Sequence, residues 1–132
     1  MKLFVKTIRG SVFIVALSVL LSLYVQPSNA ETTAAAVVDR YMRSLFSGDI
    51  ESIQQCLAKS FQERRKNTFK DPGYTNFLIN RYDGATYRIL NSVERKNGSE
   101  VVDVEIVFPS SDKLKIRLLL NHLHKIIDER IL

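Results

Sequence analysis

The side chains that could do acid–base or nucleophilic chemistry are few in this 132-residue chain. It contains one cysteine, Cys56, and two histidines, His122 and His124. A histidine that is hydrogen-bonded to a carboxylate is a common acid–base unit, and Asp128 is the acid that follows His124. On one strand these two residues would share a face but lie about 13 Å apart, which is too far for direct pairing. Because His122 is expected in a turn, the sequence predicts no histidine–aspartate pair.

Metal and cofactor sites have characteristic residue spacings, and the sequence contains none of them. Zinc sites need clusters of cysteine and histidine, but nothing in the sequence places Cys56 near the two histidines. There is no glycine-rich phosphate loop either. Cys56 lies between Ile53 and Leu57 in a helical pattern, which is typical of a small buried apolar residue. We therefore expect no metal ion, no cofactor and no intramolecular disulfide.

The first 30 residues show the three-part pattern of a secretory signal peptide. A start with three basic residues precedes an uncharged stretch over residues 12–25, and the small residues Ser28 and Ala30 mark a cleavage site. The uncharged stretch is shorter than the roughly 20 apolar residues that span a bilayer. We predict a signal peptide over residues 1–30, cleavage after Ala30, and a periplasmic or secreted mature domain over residues 31–132. The alternative is an uncleaved membrane anchor.

Cleavage changes the charge of the chain and the partners that it favours. The leader contains three of the 19 basic residues and none of the 14 acidic ones, so the net charge falls from +5 to +2. Nucleic-acid binding needs a concentrated cationic surface, and we expect no nucleic-acid partner. A bacterial lipoprotein would have a cysteine directly after the cut, where this chain has Glu31. We therefore expect no stable membrane anchor after cleavage.

The elements that must position any site begin with an amphipathic helix. Its apolar residues recur at spacings of three and four, which places them on one face. They are Ala34, Val37, Val38, Tyr41, Met42, Leu45 and Phe46. Thr32 or Thr33 can cap its start, Gly48 can end it in a left-handed conformation, and Asp49 can cap a second helix. A basic, broken segment over residues 59–71 and a short helix over 76–82 follow.

The second half of the chain alternates with the period of two that is typical of strands. The sequence predicts strands over residues 86–94, 100–108, 113–120 and 123–131. Asn97-Gly98 is the residue pair that tight hairpin turns favour, since both central residues need positive φ. Short connections between successive strands indicate an antiparallel meander. The fold class is therefore α+β, with N-terminal helices packed on a sheet of about four strands.

Two segments resemble nuclear transport factor 2-like domains. Residues 37–53, which include the Gly48-Asp49 junction between two helices, are similar to the opening of these domains. Residues 123–128, Leu-His-Lys-Ile-Ile-Asp, are similar to their final strand, with His124 in place of the usual tryptophan. The resemblance is to small exported members of unassigned function. It implies a cone-shaped roll, in which a strongly curved sheet wraps on the helices around an apolar pocket.

The enzymes of this superfamily suggest where a catalytic site would lie. Ketosteroid isomerases combine a carboxylate base in an apolar pocket with a group that stabilises an oxyanion. By resemblance, Tyr41 stands where these enzymes place their oxyanion tyrosine, while Arg65 stands where they place the aspartate base. Glu63 is the nearest acid, and dehydratases of the superfamily use a histidine, for which His124 is the candidate. The catalytic candidates are therefore Tyr41, Glu63 and His124.

Binding is the function that we predict from this sequence. In the first form, the pocket holds a small apolar ligand. Its lining would then include Tyr41, Leu45, Phe61, Tyr87, Ile106, Ile116 and His124. In the second form, the outer sheet face or an edge contacts a second copy or an envelope protein, with Leu119 on an otherwise charged strand side. The alternatives are a ketosteroid-isomerase- or dehydratase-like enzyme and a dimerising accessory module of an envelope system.

Overall fold

The computed structural model describes residues 33–132, and the predicted signal peptide and its cleavage site lie outside these residues. The described chain begins with helices: α1 (Ala34–Ser47), α2 (Ile50–Cys56), α3 (Lys59–Arg64), α4 (Lys66–Lys70) and α5 (Tyr74–Arg81). Strands follow: β1 (Thr86–Glu94), β2 (Glu100–Val107), β3 (Lys113–Leu120) and β4 (Ile126–Ile131). The predicted α+β class is confirmed. Within residues 33–132, no helix is long and apolar enough to cross a bilayer.

Local capping fixes the junction between α1 and α2. The Thr33 side chain accepts a hydrogen bond from the Ala36 N–H at 3.1 Å, which satisfies an unpaired donor at the start of α1. Gly48 ends α1 with φ +68°, a left-handed conformation that glycine adopts without a Cβ penalty. The Asp49 carboxylate then accepts from the Ser52 N–H at 3.1 Å and caps α2. All three roles follow the sequence prediction.

The strands form one antiparallel sheet in the order β1-β2-β3-β4, as the meander prediction requires. The sheet is not closed, so β1 and β4 are its edges. One face carries buried side chains that pack with the helices. They are Val102, Val104, Ile106, Ile116, Leu118, Leu120 and Ile126. We call this the inner face and the opposite side the outer face.

The core lies between the inner face and the apolar sides of the first helices. Val38 and Met42 of α1 and Ile53 of α2 are almost fully buried. Cys56 is buried as well, as predicted, and burial raises the pKa of its thiol. The Ala58 N–H, directly before α3, donates to the Ile126 carbonyl at 2.9 Å and so ties the start of α3 to β4. This contact fixes β4 relative to the helices.

The connection between β3 and β4 is longer than predicted. The last strand begins at Ile126 and not at residue 123, because the preceding residues fold onto Asn121. The Asn121 side-chain oxygen accepts from the Leu123 and Lys125 N–H groups, each at 3.0 Å, and the Asn121 carbonyl accepts from the His124 N–H at 2.9 Å. These donors are then not available to a strand ladder, and His124 has a φ of +57°.

Candidate functional site

A buried tyrosine and a carboxylate meet on the inner face. Tyr41 of α1 is only 3% exposed, and its hydroxyl donates a hydrogen bond to Glu129 Oε2 at 2.6 Å. Glu129 lies on β4 opposite the buried Leu118, which directs its side chain to the inner face. Burial raises the pKa of Tyr41 well above its ordinary value, and the charge and hydrogen bond of Glu129 raise it further. Tyr41 therefore remains a neutral phenol across the physiological pH range.

A second charged residue, the half-buried Arg65, acts on the same tyrosine. Arg65 separates α3 from α4, and its Nη2 atom lies 3.4 Å from the Tyr74 hydroxyl. Its guanidinium carbon is also 5.7 Å from the centre of the Phe61 ring, within the range of a cation–π contact. Arg65 forms no ion pair with any carboxylate of residues 33–132. Within residues 33–132, its guanidinium thus contacts one ring and one hydroxyl.

The two charges act on the same tyrosines. The pKa of Tyr82, like that of Tyr41, is raised chiefly by burial and then by the charge of Glu129, while Arg65 lowers both. These electrostatic interactions place the carboxylate and the guanidinium in one neighbourhood, although they are not paired with each other. We call Tyr41, Arg65, Tyr74, Tyr82 and Glu129 the inner polar cluster.

Aromatic rings surround the inner polar cluster. Tyr74 stacks on Phe77 with ring centres 6.0 Å apart, and Phe77 is 57% exposed. Tyr82 is stacked on Phe46 at 4.8 Å and on Phe108 at 6.2 Å. An exposed aromatic surface therefore continues directly from the tyrosine that contacts Arg65. Such a surface can hold the apolar part of a ligand while the cluster contacts its polar part.

Apart from His124, which lies in the β3–β4 connection, the predicted ligand-binding residues occupy three different environments. Leu45, Phe61, Ile106 and Ile116 are core residues, none more than 6% exposed. Tyr41 belongs to the inner polar cluster. The Tyr87 hydroxyl is hydrogen-bonded to the Asp39 carboxylate on α1, and its ring meets Phe46 edge-on at 5.4 Å. The Phe46 ring contacts both Tyr87 and Tyr82, so Tyr87 borders the inner polar cluster.

The other two catalytic candidates, Glu63 and His124, lie on other elements than Tyr41. Glu63 is an exposed residue of α3 whose carboxylate accepts from Lys66 at 2.6 Å. His124 lies in the β3–β4 connection, before the start of β4, and its Nε2 atom is 3.7 Å from a Glu100 oxygen. Its predicted place on a strand was wrong, because the Asn121 turn takes up the residues before Ile126. Glu129 stands beside Tyr41 instead.

Glu129 was not among the sequence candidates, and alternation alone does not point to it. Ile126 and Glu129 are three residues apart, so a regular strand would place them on opposite faces. The register shift between Leu119 and Leu120 brings both to the inner face. Arg65 was noted only because it occupies the position of a catalytic base in the isomerases. Within residues 33–132, no group of three histidine, cysteine or acidic side chains lies close enough to hold a metal ion. The chemistry of the site is that of one carboxylate, one guanidinium and three phenols.

Comparison of the fold with solved structures identifies its type. An NTF2-like protein from Campylobacter jejuni, provisionally named a transpeptidase, superposes with a TM-score of 0.51 at 16% identity, over 67% of this chain and 89% of its own. An NTF2-like protein of unknown function from Cytophaga hutchinsonii gives a TM-score of 0.47 at 13% identity, over 79% and 92%. No family model and no curated protein matches the sequence. The domain therefore has the nuclear transport factor 2-like fold, as the resemblance predicted.

Proposed function

We propose that this protein is an exported binding protein that holds a small, largely apolar ligand with an anionic head group at the inner polar cluster. The observation that carries the proposal is the half-buried Arg65, whose guanidinium has no carboxylate partner within residues 33–132. Removing a charge from water is costly unless a partner compensates it. A carboxylate or a similar anion on the ligand supplies that partner and can accept two hydrogen bonds from the guanidinium.

The aromatic surface beside Arg65 supports an apolar ligand body. Tyr74 contacts Arg65 on one side and stacks on Phe77 on the other, so the exposed Phe77 ring is two contacts away from the charge. A flat or aliphatic group can lie on this ring while the head group reaches the guanidinium. The neutral Tyr82 hydroxyl adds a hydrogen-bond donor at the buried end.

The hydrogen bond between Tyr41 and Glu129 favours binding over catalysis. An isomerase-like site needs a phenol that donates to the substrate oxygen and a separate carboxylate that takes a proton from the substrate. Here the single hydroxyl proton of Tyr41 is donated to Glu129. A ketosteroid-isomerase-like enzyme is the second candidate, because both groups are present on the inner face. It requires that substrate binding breaks their mutual hydrogen bond.

Two fluorescent probes test the proposed ligand class. Anilinonaphthalene sulfonate has an aromatic body with an anionic head, and phenylnaphthylamine has a similar body without the charge. We expect the purified protein to bind the sulfonate at least about tenfold more tightly, as one charged hydrogen bond is worth roughly 1.5–3 kcal/mol. Arg65→Gln should abolish this difference and leave the uncharged probe unaffected. Phe77→Ala should weaken both probes.

Arg64→Gln is the matched control for the charge change. Arg64 is the neighbouring arginine, but its guanidinium is exposed and donates to the Ile127 carbonyl at 2.6 Å. Equal loss of sulfonate binding in the Arg64 and Arg65 variants would contradict the proposal, as would equal affinity of the wild type for the two probes. A cooperative urea unfolding curve for each variant separates specific binding from binding to a loosened core. Turnover of a ketosteroid that is lost in Glu129→Gln would support the enzyme instead.

A further inference from the structure

A groove lies on the outer face of the sheet, on the side opposite to the inner polar cluster. It has a volume of about 200 Å³ and crosses β2, β3 and β4. Its lining consists of Arg95, Val101, Arg117, Leu119, Asp128 and Arg130. Cross-strand register explains how distant residues meet there: Val101 lies opposite Leu119, and Leu119 lies opposite Asp128. None of these side chains contributes to the inner polar cluster.

Two of the three arginines in the groove are already paired. Arg117 donates to both oxygens of Asp103, at 2.8 and 2.9 Å, and this hydrogen bonding lowers the pKa of Asp103. Arg130 donates through Nε to Asp128 at 2.9 Å. Arg117 and Arg130 are direct cross-strand partners, an arrangement that is unfavourable for like charges unless anions offset it. The two aspartates supply that offset.

Arg95 gives the groove an excess of one positive charge. It follows β1, and no carboxylate of residues 33–132 forms a salt bridge with it. The paired arginines also keep unused donors, because each guanidinium has five N–H groups. Asp103 accepts two hydrogen bonds from Arg117, and Asp128 accepts one from Arg130. The groove therefore presents spare guanidinium donors from three side chains to one further anion.

The floor of the groove is apolar and continues to the edge of the sheet. Val101 and Leu119 are half-buried, and Val93 of β1, which lies opposite Val101, is 49% exposed. A volume of about 200 Å³ is smaller than the roughly 300–1,000 Å³ of sites for whole small molecules. The volume of the groove fits one amino-acid side chain of a ligand and part of the residues next to it. The apolar strip beside it suits an aliphatic residue next to the anion.

We propose that this outer groove is a docking site for an acidic peptide segment of a partner protein. A carboxylate of the segment is held by Arg95 with the spare donors of Arg117 and Arg130, and a neighbouring aliphatic side chain packs on Val93, Val101 and Leu119. Guanidinium and carboxylate groups match in geometry, so the spare donors can hold a carboxylate through two hydrogen bonds. The apolar strip beside the charge favours a peptide side chain over a free inorganic anion. A second copy is disfavoured, because a two-fold contact would bring the excess positive charge of each groove onto the other.

A labelled peptide tests the proposal directly. The probe is a short fluorescein-labelled peptide of alternating glutamate and leucine, and its twin has glutamine in place of each glutamate. We expect fluorescence anisotropy to show saturable binding of the acidic peptide and at least tenfold weaker binding of the twin. Arg95→Gln should weaken the acidic peptide about tenfold. The Arg95 side chain has no ion pair to lose, so this variant should unfold at the same urea concentration as the wild type.

Lys96→Gln is the matched control, since it removes the same charge from the next residue, which does not line the groove. We expect it to bind the peptide as the wild type does. Val93→Glu, at an exposed position on the edge strand, should weaken binding by repelling the peptide from the apolar strip. Equal losses in the Arg95 and Lys96 variants, or equal binding of the two peptides, would overturn the proposal. So would a labelled single-stranded DNA that binds more tightly than the acidic peptide.

Discussion

The hydroxyls of Tyr41 and Tyr87 are both hydrogen-bonded to carboxylates, but the two contacts have different consequences. Tyr41 is buried and reaches Glu129 across 88 residues of sequence, so its hydrogen bond joins the first helix to the last strand. Tyr87 is half-buried on the edge strand β1 and reaches Asp39 on the same helix. Asp39 also pairs with Arg43 at 2.7 Å. The first contact therefore holds a site together, and the second anchors an edge strand.

The environment of Tyr87 predicts a measurable alkaline titration. Burial, followed by the hydrogen bond to Asp39, raises the pKa of Tyr87 from 10.0 to about 12. Because the folded state holds the proton more tightly than the unfolded state, the resulting stabilisation is complete below pH 10 and is lost as the pH rises to about 12. Tyrosinate absorbance should therefore show an ionisation step near pH 12. We expect Tyr87→Phe to remove this step and to make stability less dependent on pH in that range.

Asp39→Asn provides the comparison for this titration. The substitution removes the charge that opposes ionisation of Tyr87, so the step near pH 12 should move to lower pH and not disappear. If the step persists in Tyr87→Phe, it belongs to another tyrosine and the assignment is wrong.

At the scale of elements, the turn between α1 and α2 controls how α5 packs. Gly48 has φ +68°, and a Cβ built on it would lie 2.8 Å from the Thr75 carbonyl oxygen of α5. Only a residue without a side chain allows this approach. The turn therefore sets the position of α5, which begins with Tyr74, and so contributes to the geometry around Arg65.

Substitution of two glycines tests this role. Gly48→Ala should lower the free energy of unfolding by at least about 1 kcal/mol, because it adds both backbone strain and a clash with α5. Gly73→Ala is the matched control: its φ is −84°, and a Cβ there meets only an Asp71 side-chain oxygen, at 3.4 Å. We expect little change for Gly73→Ala in urea unfolding. Equal effects of the two substitutions would refute the packing argument.

At the scale of the whole molecule, two proposed surfaces lie on opposite faces of one sheet. Side chains on a strand alternate between faces, so Glu129 on β4 points to the inner face while Asp128 and Arg130 line the outer groove. A substitution on one face should therefore leave binding at the other unchanged. The Arg65 and Arg95 variants can be compared with both probes to verify this independence.

The predicted signal peptide leads to an expectation about how the chain is processed. When the full chain is expressed in a bacterial host with a secretion system, the protein should appear in the periplasm. Its intact mass should be that of a chain that starts at Glu31. Ala30→Pro should block cleavage, because the small residue at the cut is part of the recognised pattern. Recovery of the uncleaved wild-type chain from the cytoplasm would contradict the proposed export. Intact-mass measurement of both fractions provides the readout.

The sequence alone determined the features that depend on near neighbours. Helix caps such as Thr33 and Asp49 act over three residues, the left-handed Gly48 acts within one turn, and strand alternation needs only a period of two. The α+β class and the order of the strands follow from these local signals. The turn at Asn121 was predicted too short, because its side chain competes for backbone donors in a way that periodicity does not register.

Only the tertiary structure decided which distant side chains meet. The contact of Tyr41 with Glu129 depends on how α1 lies against the sheet and on the β3–β4 register, which shifts between Leu119 and Leu120. The contact of Arg65 with Tyr74 depends on how α5 packs against the preceding helices. A shift of one residue reverses the face to which a strand side chain points. The outer groove likewise exists because register brings together residues from separate strands. Sequence patterns fix the face of an element, whereas packing fixes what that face contacts.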